Sequence, residues 1–329
     1  LYAQTPEGFV EEILRTNFLS PLTLAFALGL FARVVKSEFS LPKDIYTGLG
    51  AYLLFSLGLK GGVELARASF DAILVPALVT LTLGGVRPVT SYFILRKFGK
   101  LNPSDSAGIA AHYGSVSAVT FIAALTFVQR MGEPVEGFLP TLLALLEAPG
   151  IQVALAIGTL QLANRESSTQ EVFREILTNR TMVLLVGGLA VGFFMAPEGW
   201  SEVSPFFEGL FKGALVLFLL EMGVVAGARL GDLRKVGPFL LAFGVGVPLV
   251  HGVLGVVVGD WAGLSVGGAT VLGTMSASAS YIAAPPAVRM ALPEANPTLS
   301  LTAALVITFP FNLLVGIPIY FQVAHWIAG

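Results

Sequence analysis

The sequence predicts an all-α membrane protein of ten transmembrane helices in two inverted five-helix repeats, with the fourth and ninth helices broken. Three observations carry this. The 329-residue chain is 55% hydrophobic and only 12% charged, about half the charge of soluble domains. Apolar windows long enough to span a bilayer, which takes roughly 20 residues, recur along its whole length. Finally, two stretches rich in small and hydroxylated residues, "GSVSAVT" from Gly114 and "SASASYIAAPP" from Ser276, resemble each other at a constant offset.

The ten spans fall near 18–35, 45–60, 70–96, 105–130, 137–162, 181–197, 206–228, 237–259, 265–290 and 299–325. Glycines are expected to interrupt the second and seventh. A polar connector, 164–180, separates a first repeat (1–163) from a second (181–329). With the N-terminus outside, the inner loops hold Arg33, Lys36, Lys43, Arg96, Lys97, Lys100, Arg165, Arg174, Arg180, Arg229, Arg234, Lys235 and Arg289. The outer loops hold only Arg15, Lys60, Arg67, Arg130 and Lys212. Thirteen basic residues against five place both termini outside and the connector in the cytoplasm.

The repeat rests on an ungapped match. Ser115 pairs with Ser276, an offset of 161 residues, and Glu133 with Glu294, Thr141 with Thr302 and Pro149 with Pro310 at the same spacing. "GVELAR" from Gly62 and "GVVAGAR" from Gly223 match with one residue inserted. An odd number of spans per repeat makes the second copy cross the membrane in the opposite sense. Inverted repeats with discontinuous helices are the architecture of secondary transporters, whose sites lie at the breaks near the midplane.

The candidate site follows from those breaks. Gly114, Ser115, Ser117 and Thr120 in the first, with Ser276, Ser278 and Ser280 in the second, offer hydroxyls and an approachable backbone. N–H groups released there would hold a small anion; the structural alternative is close helix packing through small residues. Glu147, within the fifth span before Pro149, is a costly intramembrane carboxylate suited to sodium or a proton. Its symmetry mate is Thr308, with Asn312 nearby, and hydroxyls of Ser117 and Ser278 complete the expected ion-coupling set. The other reading of Glu147 is a helix cap. Lys60 and Glu221, on symmetry-related spans, are expected to form an ion pair. Arg87 is either an anion contact or a structural partner between spans, and His251 reads as a satisfied polar group.

Other classes find little support. Net charge is −2 and no basic stripe points to nucleic acid, while the absence of cysteine excludes disulfides and thiolate metal sites. No transition-metal motif, cofactor motif or nucleophile elbow occurs, so an enzyme is not expected. Cargo alternatives remain: another small anion such as a monocarboxylate, proton-coupled or uncoupled. A non-transporting membrane sensor that regulates a cytoplasmic partner is the reading from a different class.

"SVSAVT" ahead of the Glu147–Pro149 span, "ARLGDLRKV" from Ala228, "PPAVRMALPEANPTLSL" from Pro285 and "GIPIY" from Gly316 together resemble the sodium-dependent bicarbonate transporter family, which includes the cyanobacterial high-affinity bicarbonate permease. The resemblance runs over essentially the whole chain. It implies sodium-coupled bicarbonate uptake by alternating access in a bacterial inner membrane, a core and a gate domain, and a homotrimer. It also implies a PII-like regulatory protein docking on the cytoplasmic loops. Carried over by position, it points to Gly114, Ser117 and Thr120 at the first break and to Ser276, Ser278 and Ser280 at the second. Glu147 stands where the family has an aspartate before the same proline. The chain departs from the pattern at Tyr281, where the cyanobacterial members carry an aspartate that would help balance sodium.

Overall fold

The computed structural model describes residues 15–161, 170, 174, 177–195 and 197–329. Most of the 164–180 connector, with Arg165, lies outside the described residues. Those described form helices and loops, and among them six stretches are long and apolar enough to cross a membrane: Lys43–Arg67, Phe70–Lys97, Pro103–Arg130, Leu139–Leu160, Glu198–Trp261 and Pro297–Ala328. Pro21–Val34 and Arg180–Phe194 are shorter apolar helices.

In chain order the helices are α1 (Pro21–Val34), α2 (Lys43–Arg67), α3 (Phe70–Lys97), α4 (Pro103–Gly114), α5 (Ala118–Arg130), α6 (Leu139–Gln161), α7 (Arg180–Phe194), α8 (Pro197–Phe207), α9 (Phe211–Ala228), α10 (Leu233–Trp261), α11 (Val266–Ala277), α12 (Ala284–Ala291) and α13 (Pro297–Ala328). Local chemistry sets many starts. Ser20, Asn102, Asn179, Ser265 and Asn296 each accept a backbone N–H of the first turn, the usual N-cap arrangement. Pro21, Pro103 and Pro297 follow their caps, where the missing N–H costs nothing.

One sequence expectation is revised here. Glycine does not interrupt the second span, since α2 runs unbroken; the seventh, 206–228, is turned at 208–210, where Gly209 stands between α8 and α9. The α2 glycines instead permit close packing on α7. A Cβ added at Gly58 would stand 2.9 Å from the Gly188 Cα, closer than real side chains come. Conversely, α13 is unexpectedly irregular, with π-helical turns at Thr302–Thr308 and Asn312–Gly316. Asn17 answers the second of these, its Nδ2 donating to the carbonyls of Leu313 and Leu314 at 2.9 Å each.

The helices sort into neighbouring groups. α1 packs on α9, and α2 on α7. α3, α4 and α6 pack on one another, and α10 packs against α11 and the end of α13. Polarity is turned inward: Arg87, Glu147, Asn312, Thr308 and the serines of both breaks are buried, while Leu28, Phe31, Leu78, Phe93 and Val250 lie exposed. Apolar side chains facing outward over polar ones facing inward suit hydrocarbon surroundings. The breaks therefore sit deep in the protein, with α4, α5, α11 and most of α13 around them.

Candidate functional site

Both expected breaks are present. α4 ends at Gly114 and α5 begins at Ala118; between them Ser115 and Ser117 are extended, with φ −85° and ψ −170°, and φ −100° and ψ 112°. α11 ends at Ala277 and α12 begins at Ala284, with Ser278 extended at φ −84° and ψ 162°. Each resumed helix is capped by a serine from its own break. Ser117 Oγ accepts the Thr120 N–H at 3.2 Å, and Ser280 Oγ accepts those of Ala283 and Ala284 at 3.2 and 3.3 Å.

The two breaks are tied to each other. The Ser117 N–H donates to Ser278 Oγ at 3.0 Å, and Ser278 Oγ donates in turn to the Met275 carbonyl at 2.8 Å. Ser117 Oγ donates to the Tyr281 hydroxyl at 3.1 Å. The Ser280 N–H donates to the His112 carbonyl at 2.8 Å, joining the second break to the helix that leads into the first.

Glu147 reaches the same place from α6. Ser115 Oγ donates to the Glu147 carbonyl at 3.0 Å. The Gly114 and Gly150 backbones meet so closely that a Cβ at Gly114 would lie 2.8 Å from the Gly150 carbonyl oxygen; here glycine is needed for a close approach. The Glu147 side chain is 2% exposed, and its Oε2 makes no hydrogen bond among the described residues.

These elements enclose a cavity of about 40 Å³, room for about three waters or one anion of a few heavy atoms. Val116, Ser117, Ala118 and Val119 from the first break line it, with Ser280, Tyr281, Ile282 and Ala283 from the second, and Glu147. The facing wall is Gly50, Leu53 and Leu54 of α2, Thr181 of α7 and Phe218 of α9. The donors are unequal on the two sides. The first-turn N–H groups of Ala118 and Val119 have no acceptor within their own helix and belong to residues lining the cavity. On α12, Ser280 already takes the N–H groups of Ala283 and Ala284, and Pro285 and Pro286 have none. The pair of breaks thus presents one donor-rich helix start rather than two.

Of the residues singled out in the sequence, Ser117, Ser280, Glu147 and Tyr281 meet at the cavity. The others stand behind it. Gly114 and Ser115 hold α6 against the first break, while Thr120 receives the Ser117 cap through its backbone. Ser278 joins the breaks. Ser276 is buried against α10, where a Cβ at Gly255 would lie 2.6 Å from its Oγ. Thr308 Oγ1 donates to the Gly244 carbonyl at 2.7 Å and lies 2.6 Å from the Tyr113 hydroxyl. Asn312 Nδ2 donates to the Ala277 carbonyl at 2.9 Å, and its Oδ1 accepts from Tyr320 at 3.2 Å. Neither Thr308 nor Asn312 is brought to Glu147.

Tyr281 is explained by its position. Its ring stands edge-on to Phe309 with centroids 5.7 Å apart, and its hydroxyl crosses from the second break to Ser117 in the first. Arg87 proves more central than its sequence context indicates. It is fully buried, and Nη2 donates to the carbonyls of Tyr113, Ser115 and Ser278 at 2.7, 2.8 and 3.1 Å. A charge next to Pro88 in an apolar span was the available signal. Its acceptors are backbone carbonyls, which no side-chain pattern reveals. His251 Nε2 lies 2.9 Å from Thr90 Oγ1, a satisfied polar group as expected.

The expected Lys60–Glu221 ion pair does not form. Lys60 Nζ lies 2.5 Å from Glu208 Oε1, and Glu221 accepts from the Leu41 N–H at 2.7 Å and Ser40 Oγ at 3.2 Å. Register is the reason. The Tyr46 hydroxyl donates to Met222 Sδ at 2.9 Å, so Glu221 is level with the start of α2. Lys60 lies about four turns further along that helix, roughly 21 Å away.

Among the described residues no group of three or more His, Cys, Asp or Glu is placed to hold a metal ion. Compared with known protein families, residues 21–325 match the one described as the Na+-dependent bicarbonate transporter superfamily. No curated protein matches the chain.

Proposed function

The chain belongs to the Na+-dependent bicarbonate transporter superfamily, and from that premise we propose that it is a secondary transporter taking up bicarbonate with sodium by alternating access. One observation carries the reading: a single small cavity is walled on one side by both helix breaks and on the other by α2, α7 and α9. The α1, α2, α7 and α9 helices act as the gate, and the remaining helices, which hold the breaks, act as the core. Motion of the core against the gate exposes the cavity to each side in turn.

The chemistry of the cavity suits a small anion accompanied by a cation. The Ala118 and Val119 N–H groups supply hydrogen bonds and the positive end of the α5 dipole. Tyr281, whose hydroxyl oxygen already accepts from Ser117, keeps its own proton to donate to an anion oxygen. Glu147 would repel a lone anion, so a sodium ion at its carboxylate enters with the bicarbonate and leaves with it. The volume of about 40 Å³ favours a one-carbon anion over larger carboxylates. Ser117, with the Ser278 hydroxyl behind it, adds oxygen atoms beside Glu147; Thr308 and Asn312 support the coupling indirectly, by holding the helices around the breaks.

The wider arrangement follows the same reading. Ten spans form two inverted repeats, with two pairs of residues 161 apart in direct contact: Ser117 with Ser278, and Thr90 with His251. Residues related by a two-fold axis touch only near that axis, so both contacts support the repeat. Both termini lie outside a bacterial inner membrane, the chain forms a homotrimer, and a PII-like protein docks on the cytoplasmic loops.

The test is uptake of labelled bicarbonate into proteoliposomes. An inward sodium gradient should drive uptake, and replacing sodium with choline should abolish it. Unchanged uptake in choline would remove sodium from the mechanism, and uptake driven instead by a pH jump would make Glu147 a proton site. Absence of bicarbonate uptake under every gradient would remove bicarbonate as cargo.

A further inference from the structure

Helix breaks leave carbonyl oxygens without helical partners, and in this protein three of them converge on one point. The Tyr113, Ser115 and Ser278 carbonyls all lie within 3.1 Å of Arg87 Nη2. Tyr113 is in the last turn of α4, Ser115 is in the first break and Ser278 is in the second, so the point exists only because the breaks are held together. Converging backbone carbonyls are the donor set that proteins present to hard cations. Here a nitrogen on a side chain from α3 occupies the position.

Two further facts set this arginine apart from an ordinary structural ion pair. Among the described residues it has no salt-bridge partner, although it is fully buried. Its Nε and Nη1 also make no hydrogen bond among those residues. A guanidinium stays charged under all ordinary conditions, and burying it is costly unless opposite charge or dipoles compensate. The compensation it has comes from the carbonyl dipoles of both breaks.

We propose that Arg87 is a tethered cation filling a carbonyl cage formed jointly by the two breaks, and that removing its side chain turns this cage into a binding site for a free monovalent cation. The inference deepens the transport reading. A permanent positive charge at the junction of the breaks attracts the anion throughout the cycle. A mobile cation is left with Glu147 as its buried carboxylate at the cavity.

The experiment is thermal melting of the purified full-length protein at constant ionic strength in choline, sodium or guanidinium chloride. It has no transport readout, so its failure is distinct from failure of the transport proposal. Arg87→Ala should melt below the unaltered protein in choline. Guanidinium at about 10 mM, well below denaturing levels, should recover at least half of that loss by binding the folded state. Sodium should recover part of it, and should still do so in Arg87→Ala/Glu147→Gln, where the carboxylate is gone. Glu147→Gln alone should show neither response. Arg87→Lys, which keeps a charge in the cage, should fold without either added ion, should not respond to guanidinium, and should respond to sodium no more than the unaltered protein does. The proposal is overturned if guanidinium leaves folded Arg87→Ala unchanged, if sodium leaves Arg87→Ala/Glu147→Gln unchanged, or if Arg87→Lys is stabilised by sodium as strongly as Arg87→Ala. It is equally overturned if both Arg87 variants fail to fold and no cation restores them.

Discussion

The backbone N–H of Ser117 donates to the hydroxyl oxygen of Ser278 at 3.0 Å, across 161 residues of chain. One hydrogen bond thus fastens the first helix break to the second. It fixes the start of α5, whose first residues line the cavity, relative to the stretch of backbone that carries Tyr281 and Ser280. Removing either end would change the cavity without altering the residues that line its far wall.

Ser278→Ala deletes the acceptor and leaves the Ser117 N–H buried without it. An unsatisfied buried donor costs about 1–3 kcal/mol. Thermal melting should register that loss, while Ser278→Thr, which retains a hydroxyl, should recover part of it. Equal stability of the alanine variant and the unaltered protein would show that the bond contributes nothing.

Tyr281→Phe removes only the hydroxyl and keeps the ring against Phe309. Losing a hydrogen bond to a charged ligand costs about 1.5–3 kcal/mol, which is about 10- to 150-fold in affinity. The half-saturating bicarbonate concentration in liposome uptake should rise by an amount in that range, and the melting temperature should fall modestly, because the Ser117 hydroxyl loses its acceptor. Unaltered half-saturation would remove Tyr281 from the anion site.

Glu147→Gln preserves size and deletes the charge. If Glu147 holds the coupled cation, sodium should no longer stimulate bicarbonate uptake, and the variant should melt no lower than the parent, because a lone buried carboxylate is expensive. Sodium stimulation persisting at the original strength would place the coupling ion elsewhere.

Lys60→Gln breaks the Lys60–Glu208 pair, whose side chains are 48% and 42% exposed. Exposed pairs contribute about 0–1 kcal/mol, so melting should barely move. Gly58→Val is the opposite case, since its side chain would meet the backbone of α7. That variant should lose the α2–α7 packing, giving a large drop in melting temperature or loss of folded protein.

The amino-acid sequence by itself determined the helical membrane character, the positions of the apolar segments and the two breaks. Those features follow from local composition: apolar length sets a segment, while serine, glycine and proline set where it stops. It also marked Ser117, Ser280 and Glu147, because hydroxyls and a carboxylate stand out against hydrocarbon side chains. Only the tertiary structure decided which of these polar groups meet. Thr308 and Glu147 stand 161 residues apart in the sequence, yet Thr308 bonds to Gly244 and Tyr113, whereas Glu147 lines the cavity. Lys60 and Glu221 also stand 161 residues apart in the sequence, but they lie about four turns apart in register. Arg87 finds its acceptors in backbone carbonyls from both breaks. Side-chain chemistry is written in the order of the residues. Register and carbonyl direction arise only when separate helices pack, and these placed the arginine between the breaks and the tyrosine across them.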